Sequence, residues 1–308
     1  MGRSCHQRRG KKSGNLKLLI TGASGLVGAR LTEVASRAGC EAIGIYNQHQ
    51  TGCPNALKAD IQKKEDIREI LRKTSPDVII HLAAMTDVDL CERQPGLANS
   101  VNANATGLLA QECVNAGRHF VYVSTDYVFD GLRGNYRETD QPNPVNAYGR
   151  SKLRGEELTM TISSEFCIVR TSVVYGWGRS SRQNFGSWAY SELKASRPVK
   201  VVEDQYCSPT LNSQLARMLL EVARDRLAGR IHLAGASRLN RLEFARKLAN
   251  EFNLDVKLVT PVKADSSTWI AKRPSDSSLN VEKAQKLLSN KPIDITSALH
   301  EFALETQI

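Results

Sequence analysis

Residues 18–31 read "LLITGASGLVGARL", an apolar run that breaks at a glycine-rich turn and continues as an amphipathic segment. Gly22, Gly25 and Gly28 stand three residues apart, with a strand pattern before them and a helix pattern after. In such a turn the first glycine permits a tight reversal, and the second lets backbone approach a pyrophosphate. The third lets the helix lie close to the strand. The helix start adds aligned N–H groups and a partial positive charge. The stretch therefore predicts a dinucleotide site built from Gly22, Ser24, Gly25, Leu26, Val27 and Gly28, if an α/β alternation follows it.

That alternation follows. Strand candidates "EAIGIY", "DVIIHLAA", "HFVYVST" and "FCIVRTSVVYG" are separated by helical "LVGARLTEVASRAG", "KKEDIREILRKTS" and "NANATGLLAQECVNAG" and by the segment around Tyr148. Each strand is apolar throughout, the mark of a sheet covered on both faces. The fold class is α/β: a doubly wound parallel sheet over 17–170, followed by a mainly substrate-binding, smaller C-terminal α/β lobe over 171–308, some of whose segments return to the sheet. In that second part "NSQLARMLLEVARD", "RLEFARKLANEFN" and "VEKAQKLL" read as helices, and "PVKVVEDQYCSPT" and "GRIHLAG" contain strands.

The 308 residues carry a formal net charge of +10, and 41% of them are hydrophobic. Five of those charges, Arg3, Arg8, Arg9, Lys11 and Lys12, lie in the first sixteen residues, which contain no acid and no aromatic side chain. This segment reads as a disordered basic arm. The remaining +5 does not call for a nucleic-acid partner, and no apolar stretch is long enough for a membrane span. The arm lacks the apolar core of a secretory signal. Seven scattered cysteines without a C-x-x-C pair fit neither a disulfide framework nor a zinc site. The expectation is a soluble protein of a reducing cytoplasm, binding no metal.

The second strand ends in "IYNQHQ", placing Asn47 where an NAD-selecting fold carries an acid for the ribose 2′-hydroxyl. An amide does not repel a 2′-phosphate, and Arg30 is near in sequence, so NADPH is favoured with NADH left open. Asp60 and Ile61, after the short strand-like "ALKAD", are expected on the adenine side. Tyr148 and Lys152 in "NAYGRSKLRGE" are spaced i, i+4 and share a helix face. An ammonium beside a phenol favours proton release. Ser124 and Thr125 end the fourth long strand, at the edge of such sheets that faces the ligand crevice. The i, i+4 pair reads as chemistry in that setting.

Together "TGASGLVG", "PDVIIHLAAMTDVDLCE", "VNANA", "STDYVFDG", "YRETDQPNPVNAYGRSKLRGE", "DQYCSPT" and "AKRPSDSSLN" resemble the extended short-chain dehydrogenase/reductases, and within them the dTDP-4-dehydrorhamnose reductases. The resemblance runs from Leu18 to the C-terminus. It implies a Rossmann-type fold, a nucleotide-sugar substrate and reduction of its C4 ketone. It implies Tyr148 as proton donor, Lys152 lowering its pKa and holding the nicotinamide ribose, and Thr125 tuning the site. Cofactor contacts would fall on Gly25, Leu26, Val27, Asp60, Ile61, Ala83, Ala84, Met85 and Thr86. Thr125, Asp126, Val173, Asn184 and Arg273 are the substrate-side candidates, with Arg273 suited to a diphosphate or to an interdomain ion pair. Asn102 is expected to position backbone near Lys152, and His81 to be a satisfied core residue. Asp87, Asp89 and Glu92 read as helix capping and a solvated face.

Two departures from the family pattern stand on the substrate side. Where the family has R-T-S-W this chain has "RTSVVYGWG", with Val173 in place of the tryptophan and Trp177 four residues on, and "DQYCSPT" carries Cys207-Ser208. The regulatory β subunit of methionine adenosyltransferase is similar across the same blocks and implies an NADP-binding partner protein, not a reductase. A nucleotide-sugar epimerase is a third alternative. A homodimer is left open.

Overall fold

The computed structural model describes residues 15–178, 183–264 and 269–307. The basic arm up to residue 14, with Cys5, lies outside them. Seven strands form one parallel sheet in the spatial order Gly229–His232, Cys167–Thr171, His119–Thr125, Val78–His81, Lys17–Thr21, Glu41–Tyr46 and Leu57–Lys58. Every pairing in it is parallel. The chain starts at the Lys17–Thr21 strand, runs outwards one way, then returns past it to Val78–His81 and runs outwards the other way. The order reverses beside the glycine turn, where such sheets open a ligand crevice at their C-terminal edge.

The uniformly apolar strands are explained by two cores. Leu18, Ile20, Val78, Ile80, Val121, Val123, Cys167 and Val169 face one cluster with the Leu26–Arg37 and Asn212–Arg224 helices. The alternate residues Leu19, Ile79, Phe120, Tyr122 and Ile168 face a second with the Lys64–Thr74 and Ala105–Asn115 helices. Successive side chains of a strand point to opposite faces, so a sheet covered on both sides must be apolar at every position.

Two segments beyond residue 170 belong to this sheet. The Asn212–Arg224 helix packs on the Leu26–Arg37 helix, and Gly229–His232 forms the sheet's far edge. The third core belongs to the lobe. Tyr175, Leu193, Phe244, Leu248, Leu299 and Phe302 are buried there, joined by Trp177, Trp188 and Tyr190. Its small strands pair locally, Val199–Val202 with Val259–Val262 and Tyr206–Cys207 with Leu239–Asn240. The lobe also contains a helix, Ile295–Leu304, capped by Asp294, that the sequence reading lacks. No helix among the described residues is long and apolar enough to cross a membrane. The six described cysteines are buried and unpaired with one another.

Candidate active site

The glycine turn is built as its spacing implies. Gly22 has φ +68°, a backbone conformation L side chains rarely adopt, and a Cβ there would lie 2.8 Å from the Ala83 nitrogen. A Cβ on Gly28 would meet the Gly22 carbonyl oxygen at 2.2 Å. Gly25 starts the Leu26–Arg37 helix, and no side chain accepts the first N–H groups. A crowded cradle with unclaimed donors fits a pyrophosphate, and Ser24, Leu26 and Val27 are its half-buried rim. Gly28→Ala is expected to destabilise the fold by about 1–3 kcal/mol through overpacking and to weaken NADPH binding. A melting curve and a fluorescence titration check both. Native values in the two would refute the cradle.

At the far end of the crevice, Asn47 lies with Tyr46, Gln48, His49, Gln50 and Lys58 around an open cleft of about 570 Å³. Arg30 is not there. Its helix turns the guanidinium towards the C-terminal segment, where it pairs with Glu305 at 2.7 Å and Glu33 at 3.2 Å. The lysine that lines the Asn47 cleft is Lys58, brought beside Tyr46 by strand pairing. Asp60 and Ile61 follow that strand, half-buried, with the Asp60 carboxylate accepting the Gln62 N–H.

Ala83, Ala84, Met85 and Thr86 form the loop after the Val78–His81 strand, and a polar network fixes it. The Thr21 hydroxyl accepts the Leu82 and Ala83 N–H groups at 3.1 and 3.2 Å, so its own proton goes to His81 Nδ1 at 2.7 Å. His81 Nε2 then donates to Thr106 Oγ1 at 3.0 Å, and Thr106 donates to the Asn102 carbonyl. Burial, with the nearby Lys152 charge, pushes the imidazole down to about 3, so it stays neutral. Asn102, fully buried, accepts the Met85 N–H at 2.8 Å and donates to the Met85 carbonyl and to Ser151 Oγ, each at 3.0 Å. It ties the loop to the residue before Lys152. The π-helical turn Ser100–Asn104 aims it there.

Tyr148 and Lys152 occupy one face of the Ala147–Ile162 helix, whose start Asn146 caps by accepting the Gly149 N–H at 2.8 Å. Lys152 is buried, donates to the Val123 carbonyl at 2.8 Å, and lies 4.3 Å over the Tyr122 ring. An ammonium has three protons, so two remain for other partners. Burial lowers its pKa to about 7 against the opposing pull of Glu156. The Tyr148 phenol moves the other way. Burial pushes it up, Asp126 adds to the rise, and a hydrogen bond with Thr125 opposes it. The phenol is thus a protonated donor at neutral pH, held so by its surroundings. The net shift is upward, so burial prevails over the lowering expected of the i, i+4 ammonium.

Thr125 also touches the Asp126 carboxylate, at 3.0 Å, and accepts the Tyr127 N–H. Asp126 is buried, and its two oxygens accept hydroxyls of Thr125, Ser172 and Ser277. Ser277 comes from the "AKRPSDSSLN" segment, which packs against "STDYVFDG": a Cβ on Gly131 would meet Pro274. Val173 lines a narrow cavity with Phe185 and Cys207. Asn184 has its side chain on backbone. It accepts the Ser187 and Gly176 N–H groups and donates to the Gly176 carbonyl, capping the Phe185–Lys194 helix. Trp177 stacks on Phe302 and donates to its carbonyl, inside the lobe core and away from the Val173 position. Arg273 pairs with Asp89 at 3.0 Å, so the interdomain ion pair of the sequence reading is what forms.

The acids of "DVDLCE" divide. Asp87 caps the Val88–Arg93 helix. Asp89 is not solvated: it accepts the Ile270 and Ala271 N–H groups as well as Arg273. Glu92 accepts the Ala147 N–H at 2.7 Å. Among the described residues no group of three or more His, Cys, Asp or Glu could hold a metal ion. Sequence reasoning did not single out Ser151, Ser172, Ser277, Glu156 or Arg170. Only Glu156 had a local signal, four residues after Lys152 on the same helix.

Residues 16–308 match the family model described as the RmlD substrate binding domain. A reductase of Haloferax volcanii, named as probable in low-salt glycan biosynthesis, is 35% identical over 86% of this chain and 90% of its own. The methionine adenosyltransferase 2 subunit beta of Bos taurus is 30% identical over 89% of this chain and 83% of its own. A solved dTDP-4-dehydrorhamnose reductase from Bacillus anthracis, in complex with NADP, superposes with a TM-score of 0.85 at 29% identity, covering 95% of this chain and 100% of that one. The family model spans all but the first fifteen residues and the fold superposes over nearly the whole chain, which belongs to the RmlD substrate binding domain family of extended short-chain dehydrogenase/reductases.

Proposed function

We propose that the protein reduces the C4 ketone of dTDP-4-dehydro-6-deoxy-L-mannose (dTDP-4-dehydrorhamnose), giving dTDP-L-rhamnose, with NADPH as reductant. The carrying observation is the Tyr148 phenol, its pKa raised by burial and its oxygen hydrogen-bonded with Thr125, at the sheet edge that also holds the glycine cradle. The nicotinamide supplies the hydride. Tyr148 gives its proton to the carbonyl oxygen as charge develops there, and the Thr125 hydroxyl, turning its one proton from the Asp126 carboxylate, stabilises the phenolate left behind. Lys152, with two free N–H protons, holds the nicotinamide ribose. Lys58 and His49 beside Asn47 favour a 2′-phosphate, although NADH also fits a cleft lined by amides. The NADP complex of the Bacillus anthracis reductase supports the same choice. We place the protein in the cytoplasm.

The test is to mix the protein with NADPH and enzymatically generated dTDP-4-dehydrorhamnose and follow nicotinamide absorbance. Loss of absorbance with dTDP-L-rhamnose as product is expected. Thr125→Ala should lower kcat by about tenfold while NADPH affinity holds, since one hydrogen bond to the developing phenolate is lost. One observation favours a second reading, the likeness to the bovine subunit beta. In that reading the protein binds NADP as a regulatory partner. Tight NADPH binding without turnover would decide for it.

A further inference from the structure

Arg273 Nη1 is engaged by Asp89 and the Ala271 carbonyl, and a diphosphate is well served by a second cation. Arg241 is the first residue of the Arg241–Glu251 helix, half-buried, with its guanidinium 4.9 Å over the Phe185 ring. The capping box of Asn240 and Glu243 fixes that helix start, and with it the root of the side chain. Among the described residues no hydrogen bond or ion pair engages the guanidinium. It borders the narrow cavity of Val173, Phe185, Cys207, Pro209 and Phe244. Its charge reaches Cys207 and Tyr127, holding both below where burial alone would put them. Tyr127 in turn packs edge-on to Tyr148, with ring centroids 6.0 Å apart.

Arg241 therefore stands at the start of a lobe helix, on the cavity that Val173 and Cys207 also line. A planar guanidinium pre-oriented by an aromatic face and lacking a carboxylate is suited to a bidentate phosphate. The 6-deoxy-keto sugar is neutral, so the diphosphate is the part of such a substrate that matches it. We propose that Arg241 binds the diphosphate of the nucleotide-sugar, with Phe185 as the platform that orients it. This rests on the nucleotide-sugar reading above.

The probe is dTDP alone, titrated calorimetrically into the native protein and into Arg241→Met and Arg241→Lys, with NADPH titrated in parallel. Methionine keeps an unbranched stem against Phe185 and removes the charge. The expected result is a Kd for dTDP raised by about tenfold or more in Arg241→Met, a smaller rise in Arg241→Lys, and unchanged NADPH affinity and melting temperature in both. Native-like dTDP binding by Arg241→Met overturns the role of Arg241 and leaves the nucleotide-sugar reading standing. Failure of the native protein to bind dTDP while NADPH binds overturns that reading, and this inference with it.

Discussion

Tyr148→Phe is expected to lower ketone reduction by about 10²–10⁴-fold, the range for loss of a positioned general acid, while leaving NADPH affinity near native. The substitution removes one oxygen from a half-buried ring packed among Met85, Cys91, Ala98 and Ala147, so the fold has no reason to change. It removes the proton that Tyr148 is proposed to give to the substrate oxygen. The pH dependence follows from two shifts of opposite sign. Tyr148 is pushed above its ordinary value, chiefly by burial, so it remains a donor throughout the neutral range. Lys152 is pushed down to about 7, so its ammonium is complete below that pH and lost above it. If Lys152 holds the ribose, kcat/KM for NADPH should fall as pH rises through about 7, and the fall should vanish in Lys152→Met. Stopped-flow reduction across the neutral range checks both. A Tyr148→Phe protein with the native rate would remove Tyr148 from the chemistry altogether.

What the sequence made legible is what is local. A strand covered on both faces must be apolar at every position, so Leu18–Ile20 and Phe120–Val123 identify themselves. The glycine spacing records a steric demand between Gly22 and Gly28 within one turn. The failures are long-range or directional. Arg30 is two residues beyond the third glycine, but a helix rotates about 100° per residue, and its face meets Glu305 instead of the cofactor cleft. For Arg273 the sequence left a diphosphate and an interdomain ion pair open, and could not name the partner, Asp89, 184 residues away. Asn184 reads as a polar pocket residue, whereas N-S at N-cap and N3 makes it a cap. The Ile295–Leu304 helix did carry a signal, Asp294 followed by Ile295, Leu299 and Phe302, and its short length hid it. For the tyrosine–lysine pair the spacing gave the shared face correctly. It could not give the direction of the ammonium, which depends on Val123 and Tyr122 in another element.

Arg170→Met is expected to cost about 3–5 kcal/mol of stability, the largest effect away from the chemistry, because it strands a buried carboxylate. Arg170 and Glu156 are 1% and 0% exposed. Arg170 Nε and Nη2 reach Glu156 at 2.9 and 2.7 Å, and the guanidinium lies 5.0 Å over the Phe129 ring. Glu156 is one turn beyond Lys152 on the catalytic helix, and Arg170 is in the strand beside Thr125. The pair thus pins the helix of the proton donor to the Cys167–Thr171 strand, the neighbour of the strand that carries Thr125. Arg230, 3.8 Å from the same carboxylate and partly exposed, is too distant to replace it. The double variant Arg170→Met/Glu156→Leu should recover most of the loss, since apolar packing of similar volume removes the unpaired charge. Its activity should nevertheless differ from native. Glu156 raises the Lys152 pKa, so without that charge the ammonium is lost at lower pH, and the alkaline fall in kcat/KM should move to more acidic pH. Denaturant midpoints and pH–rate profiles of the two variants separate the roles. A single variant as stable as native would mean that the ion pair does not hold the helix. A double variant as stable as native with an unmoved pH profile would mean that Glu156 acts on the fold alone.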